Sequence, residues 1–109
     1  MGKFVITQRT NKDYQFNLKA GNHQVILTSE GYSSLDGCKN GIESVKENAK
    51  SDDQFERKES SNGKAYFNLK STNGQIIGKS EMYESKSAME NGIESVMKNA
   101  PEATVDQEF

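Results

Sequence analysis

Apolar and polar residues alternate in short runs at the start of the chain, and the period then changes. Tyr14, Phe16 and Leu18 take turns with Gln15, Asn17 and Lys19, the pattern of a strand with one wet face. Phe4-Val5-Ile6-Thr7 before it and Gln24-Val25-Ile26-Leu27-Thr28 after it are short and rich in β-branched residues, which predicts two more strands. From Ser34 the spacing turns helical. Leu35, Cys38, Ile42, Val45 and Ala49 follow one another at three, four, three and four residues and share one face. Ser34 stands where an N-cap accepts from the first-turn amides.

The same order then returns. At an offset of 51, Phe16-Asn17-Leu18-Lys19 meets Phe67-Asn68-Leu69-Lys70, and Asn40-Gly41-Ile42-Glu43-Ser44-Val45 meets Asn91-Gly92-Ile93-Glu94-Ser95-Val96. Residues 16–49 and 67–100 share 19 identities in 34 gapless positions, so the chain is an internal duplication whose halves adopt one conformation. The second half offers strands from Phe55 and at Gln75-Ile76-Ile77, a helix with Met89, Ile93, Val96 and Ala100 on its apolar face, a cap at Ser85 and a stop at Pro101. Asn62-Gly63 and Asn73-Gly74 predict tight hairpin turns, and the first half keeps asparagine at Asn11 and Asn22.

The pattern predicts an α+β fold of two βββα repeats, 1–50 and 52–101, forming a single domain over residues 1–101. A unit of about 50 residues buries too little surface to offset its ordering entropy, so the halves are expected to share a core. The simplest arrangement is a six-stranded antiparallel sheet with both helices on one face, related by a pseudo-twofold axis, its other face polar and wet. Residues 102–109 hold few apolar side chains and are expected to fray as a flexible tail.

Composition narrows the class. Leu, Ile, Val and Phe make up 20 of 109 residues, a thin core, but 14 basic and 16 acidic residues nearly cancel, so charge does not hold the chain open. No apolar run approaches the length of a membrane span, and the first residues resemble no secretory leader, which leaves the cytoplasm as the expected compartment. The one cysteine fits a reducing environment. An acidic overall balance argues against a nucleic-acid surface, although Tyr14, Phe16 and Lys19 offer a local patch in the more basic first half.

The repeated Phe-Asn-Leu-Lys, the segments Ser29-Glu30-Gly31-Tyr32 and Ser80-Glu81-Met82-Tyr83, and Asn-Gly-Ile-Glu-Ser-Val closing on Asn48-Ala49 and Asn99-Ala100 resemble the YegP-like family of small, functionally uncharacterised bacterial proteins, in its duplicated branch. The resemblance implies one continuous sheet and helices exchanged between the halves. It supplies no catalytic or binding residues. The first copy departs from the pattern at Ser34-Leu35 and Gly37-Cys38, where the second has Ser85-Lys86 and Ala88-Met89, and Gly37 should weaken its helix by about 1 kcal/mol relative to alanine.

Little in the chain reads as chemistry. His23, the lone histidine, sits in a predicted turn without a second imidazole, so a solvated turn residue is favoured over a metal ligand or base. Cys38 falls on the apolar helix face, which favours packing over nucleophilic work. No glycine-rich phosphate cradle, metal ligand set or catalytic dyad is visible, so no cofactor and no enzymatic activity are expected.

Two surfaces remain. Gly41 and Gly92 fall at the edge of the apolar stripe, where a missing side chain lets a neighbour approach, whereas Asn40, Ser44, Asn91 and Ser95 face outward and are candidate partner contacts. On the wet sheet face, Asn17, Lys19, Asn68 and Lys70 are further candidates. Simple solubility is the competing reading of both sets. Ser29, Glu30 and Tyr32, with Ser80, Glu81 and Tyr83, are expected to serve capping and loop packing. The sequence thus points to a monomeric, non-enzymatic interaction module with an unidentified protein partner. The alternatives are a small-ligand site at the seam between repeats and, more remotely, an enzyme whose Glu30 and Glu81 converge.

Overall fold

The computed structural model describes residues 2–109. β1 (Lys3–Gln8), β2 (Tyr14–Lys19), β3 (Val25–Thr28) and α1 (Leu35–Asn48) form the first repeat; β4 (Phe55–Glu59), β5 (Ala65–Lys70), β6 (Ile76–Lys79) and α2 (Lys86–Asn99) form the second. A short 3-10 turn follows each helix, at Asp52–Gln54 and Ala100–Glu102, and the second leads into β7 (Thr104–Glu108). The first hairpin pairs Lys3↔Lys19 through Gln8↔Tyr14, and its counterpart pairs Phe55↔Leu69 through Glu59↔Ala65. Left-handed backbone closes the turns at Gly63 and Gly74 in the second repeat, but at Lys12 (φ 73°) and His23 (φ 68°) in the first. Ser34 and Ser85 cap the helices, accepting from Gly37 N at 3.0 Å and Ala88 N at 3.1 Å.

The fold is α+β, two helices on a seven-stranded mixed sheet ordered β4-β5-β6-β3-β2-β1-β7. This corrects the expected six-stranded, wholly antiparallel sheet and the expected fraying tail. β7 runs parallel to β1, with Lys3↔Thr104 through Thr7↔Glu108 in register. It supplies backbone partners to an edge that would otherwise lack them. Lys3 Nζ bridges Asp106 at 3.2 Å, Ala103 is buried, and the Phe109 ring meets Tyr14 edge-on at 5.3 Å. Backbone pairing and these few anchors order a segment whose side chains alone would not.

Between the repeats the sheet is thin: β3 and β6 are in register at one pair, Thr28↔Lys79. The helices do more of the joining. α1 touches β2 of its own repeat and β5 and β6 of the other, while α2 touches β5 of its own and β3 of the other. Each helix therefore straddles the junction, which corrects the full exchange implied by resemblance. A single buried cluster contains Phe4, Phe16, Leu18, Leu27, Phe67 and Leu69 with Ile42, Val45, Ile93 and Val96 from the helices. Leu27 fills the space over Gly78, where an added Cβ would lie 2.6 Å from Leu27 Cδ2.

Two devices recur in both repeats and account for residues that the helix and strand patterns leave unexplained. Tyr32 and Tyr83 stack on Phe16 and Phe67 (centroids 6.2 and 6.4 Å) and extend over the glycines of the helices. A Cβ at Gly41 or Gly92 would fall on the tyrosine hydroxyl, 2.7 Å from Cζ in each case. Buried Ser29 and Ser80 accept from Phe16 N and Phe67 N at 2.9 Å and donate to the carbonyls of Glu30 and Glu81 at 2.8 Å. Both hydroxyls thus complete the hydrogen bonding where the chain leaves the sheet.

Candidate functional site

Alternation along the strands sends Phe55, Phe67 and Leu69 to the helix side and Glu56, Lys58, Tyr66, Asn68 and Lys79 to the opposite side. There, over the junction of the repeats, lies an open cleft of about 660 Å³. One wall is Glu56, Lys58, Tyr66 and Asn68 from β4 and β5; Ile76 and Lys79 form another, and Arg9, Thr28 and Glu30 of the first repeat close it. The short β3–β6 contact explains why a cleft exists at this position: the sheet is least continuous there.

Much of its charge is already partnered. Glu56 accepts from Lys70 Nζ at 3.0 Å and Asn68 Nδ2 at 3.1 Å, and these two bonds hold its carboxyl below the usual range. Arg9 Nε donates to Gln15 Oε1 at 2.6 Å. Lys79 lies over the Tyr66 ring, 5.0 Å from its centroid, close enough for a cation–π contact. Lys58 and Lys79 make no ion pair among the described residues. Ile76, on β6, is 43% exposed.

The candidates from the sequence separate. Asn68 lines the cleft and Lys70 adjoins it through Glu56, while Asn17 and Lys19, on the same sheet face in β2, lie outside it. Ser44 and Ser95 are occupied structurally. Asn48 Nδ2 donates to Ser44 O at 2.8 Å and to its Oγ at 3.2 Å, and Asn99 makes the same pair of bonds to Ser95. Asn40 and Asn91 are exposed, Asn40 beside a groove that α1 shares with Val105 and Gln107 of β7. The helix-face set and the sheet-face set are therefore not brought together.

Sequence reasoning missed Tyr66, Ile76, Lys79, Glu56, Lys58 and Arg9 as cleft residues. Duplication marks the positions the repeats share, and these are positions where they differ: Gln15 stands for Tyr66, Thr28 for Lys79 and Val5 for Glu56. Comparing the unlike positions on the wet face would have found them.

Among the described residues, the glutamates and tyrosines that the two repeats share do not converge on the cleft. Glu30 lines it and Glu81 does not; Tyr32 and Tyr83 are packed toward the helices, where burial raises both hydroxyls above their ordinary pKa. Cys38 is fully buried, which pushes its thiol up as well. Among the described residues, no three His, Cys, Asp or Glu side chains group as a metal site requires, and no helix is long and apolar enough to cross a membrane.

Comparison with known proteins supplies the family. Residues 10–56 and 60–107 each match a domain of unknown function, DUF1508. Each matched unit runs from the second strand of a repeat, through the helix, into the strand after it, so β7 stands in the second unit where β4 stands in the first. A UPF0339 protein of Bordetella pertussis is 47% identical over 108 residues, covering 98% of this chain and 97% of its own. UPF0339 protein YegP of Escherichia coli is 45% identical over 104 residues, covering 95% and 94%. The solution structure of a UPF0339 protein of Shewanella oneidensis superposes with a TM-score of 0.92 at 45% identity, covering 97% of this chain and 90% of that one. That of E. coli yegP, described as a protein of unknown function, gives 0.94 at 44%, covering 98% and 92%. The chain belongs to the YegP-like UPF0339 family and carries its DUF1508 unit twice.

Proposed function

We propose that this protein is a non-enzymatic interaction module whose partner docks on the wet sheet face at the seam of the repeats. The observation that carries the reading is the lining of the cleft: Tyr66 with Lys79 across its ring, an exposed Ile76 and an unpaired Lys58, all on strands. Tyrosine gives large rigid contact area at small entropic cost, and a strand scaffold holds it in place before binding. Glu56, Asn68 and Lys70 satisfy one another, so they shape the wall rather than await a reacting group. The same reading takes the chain as one monomeric, cytoplasmic unit in which the repeats, 1–50 and 52–101, are related by a pseudo-twofold axis and β7 completes the sheet.

A small-ligand site in the same cleft is the second reading, favoured by its volume, which falls within the range of about 300–1,000 Å³ typical of ligand pockets. One experiment separates the two. Wild type and a Tyr66→Ala/Lys79→Glu variant of equal thermal stability are used for affinity capture from cell lysate, followed by native mass spectrometry of the protein itself. The module reading expects a protein captured by the wild type and lost with the variant. A bound metabolite that the double substitution removes would transfer the cleft to the ligand reading, and identical capture by both proteins would refute the docking surface.

A further inference from the structure

The outer edge of β1 is covered by β7, and among the described residues no strand covers the equivalent edge of β4. Pairing aligns the two strands, since Phe4 faces Leu18 as Phe55 faces Leu69, and Thr7 faces Gln15 as Lys58 faces Tyr66. In the first repeat the incoming strand ends with Phe109 against Tyr14. In the second, Ala65 replaces that tyrosine, and a cavity of about 330 Å³ opens beside it, lined among others by Lys58, Glu59, Ala65, Lys86, Met89 and the Arg57-paired Glu90. Lys58 and Lys86 make no ion pair among the described residues, whereas Arg57 is engaged by Glu90 and Asp52.

We propose that the free edge of β4, with the cavity at Ala65, is a docking site for an extended segment of a partner chain. The segment runs parallel to β4 and carries an acidic residue opposite Lys58, followed by a large apolar side chain that enters the cavity. The docked β7 is the internal precedent: Glu108 pairs in register with Thr7, the counterpart of Lys58, and Phe109 comes next. Parallel strand addition supplies main-chain hydrogen bonds, and the flanking pockets supply selectivity. Position for position, Asp106 would face Glu56, a carboxylate held ionised by Lys70 and Asn68. The site therefore selects a neutral residue there, and a second copy's own β7 is the poorer occupant. This surface shares Lys58 with the seam cleft, but its cavity opens toward α2 rather than over the junction of the repeats, so shifts at Ala65 and Met89 report on it whether or not that reading holds.

The probe is a synthetic peptide of residues 103–109 with asparagine in place of Asp106, titrated into the isotope-labelled full chain and followed by amide shifts. The expected result is saturable shifts at Arg57–Glu59, Ala65 and Met89. The unaltered peptide and one ending in alanine should each bind more weakly, and Lys58→Glu should lower affinity by about tenfold, a difference resolvable in the micromolar to millimolar range. Lys58 is exposed, so this variant is expected to keep its fold, which its own spectrum checks. Absence of shifts at about 1 mM peptide, the weak limit of such measurements, would overturn the proposal. So would shifts confined to β1, which mean displacement of β7, or unchanged affinity in Lys58→Glu.

Discussion

β1 and β4 occupy the same position in the duplicated unit but not the same surroundings. β1 lies between β2 and β7, whereas β4 has β5 on one side and no strand on the other. Their side chains follow that difference: Val5, Ile6 and Thr7 in β1 stand where β4 has Glu56, Arg57 and Lys58. Val5 and Ile6 are 2% and 0% exposed; Arg57 instead reaches back to Glu90 at 2.6 and 3.0 Å and to Asp52 at 2.8 Å. A bare edge offers unpaired amide and carbonyl groups to any passing strand, and charged side chains suppress unwanted pairing. The covered copy is apolar and the bare copy is charged, so each local sequence reports its neighbour.

Exchanging residues between the two strands is the severest test of that account. Ile6→Arg places a guanidinium beneath β7 without a carboxylate to meet it, and should cost about 3–5 kcal/mol, the penalty for an uncompensated buried charge. Urea unfolding measures the loss, and amide exchange should register the release of β7. Arg57→Ile, the reciprocal change, removes exposed ion pairs worth no more than about 1 kcal/mol, yet should raise self-association in sedimentation because the edge loses its charge. If Ile6→Arg were tolerated within about 0.5 kcal/mol, the range of a typical surface change, coverage by β7 would not be what separates the strands.

Where the repeats agree, equal costs are expected. Gly41→Ala and Gly92→Ala each gain about 1 kcal/mol of helix propensity but drive a Cβ into the tyrosine hydroxyl. Overpacking of that kind costs about 1–3 kcal/mol, so each variant should lose up to about 2 kcal/mol net. Tyr32→Phe in the Gly41→Ala background removes the clashing oxygen and should recover part of the loss. Stabilisation by either single substitution would show that the tyrosine yields freely and that the glycine is no packing device.

This agreement and difference also explain what was legible in the sequence. Strand alternation, the helix stripe, the serine caps and the asparagine turns are local and repeated, and Gly41 was readable as a close-approach site from its angle alone. β7 was not legible. Thr104, Val105, Asp106, Gln107 and Glu108 carry no apolar alternation, and the strand is held by backbone pairing to a strand nearly the whole chain away. The connection after α2 is also shorter than that after α1, so the internal match stops before β7 and hides its kinship with β4. The cleft escaped for the opposite reason to the scaffold: Tyr66, Lys79 and Glu56 have no twins to mark them.

Acid should act unequally on the two halves. Arg57 holds the Glu90 carboxyl below its ordinary pKa, as Lys70 and Asn68 hold that of Glu56, and the matching positions in the first repeat are Lys39 and Val5. A carboxyl whose folded pKa lies below its unfolded value contributes stability above the unfolded pKa, about 4.3 for glutamate. That contribution is lost as pH falls through the folded value. After discounting for solvent screening, the Arg57–Glu90 pair contributes at most about 1 kcal/mol. On acidification from about pH 5 to pH 2.5, across the glutamate titration range, β4 amides should lose exchange protection before those of β1. Glu90→Gln should narrow the gap, and added salt should shrink it at every pH. Simultaneous loss in both strands would remove the carboxylate pairs as the source of asymmetry.

The smallest contrast lies in the turns, and it tests the comparison from the unfolded side as well as the folded one. Gly63 and Gly74 hold φ near +83° and +85°, a region glycine enters freely, while Lys12 and His23 hold similar angles with a Cβ attached. A left-handed residue with a Cβ costs about 1–2 kcal/mol, and glycine loses about 0.4–1 kcal/mol by leaving the unfolded chain more freedom. His23→Gly and Lys12→Gly should therefore each stabilise by about 0.5 kcal/mol. His23 N donates to Ala20 O at 2.9 Å through the backbone, a bond that glycine keeps. Gly74→His, the reverse exchange, should destabilise by a similar amount, and the Asn73 side-chain bond to Gln75 N at 3.2 Å should survive it as the matching Asn22 bond does beside His23. Thermal unfolding of the three variants resolves the signs. A loss of stability in His23→Gly would mean that the imidazole makes a favourable contact that outweighs the strain of its own backbone, and would make the first turn a feature of its own rather than a poorer copy of the second.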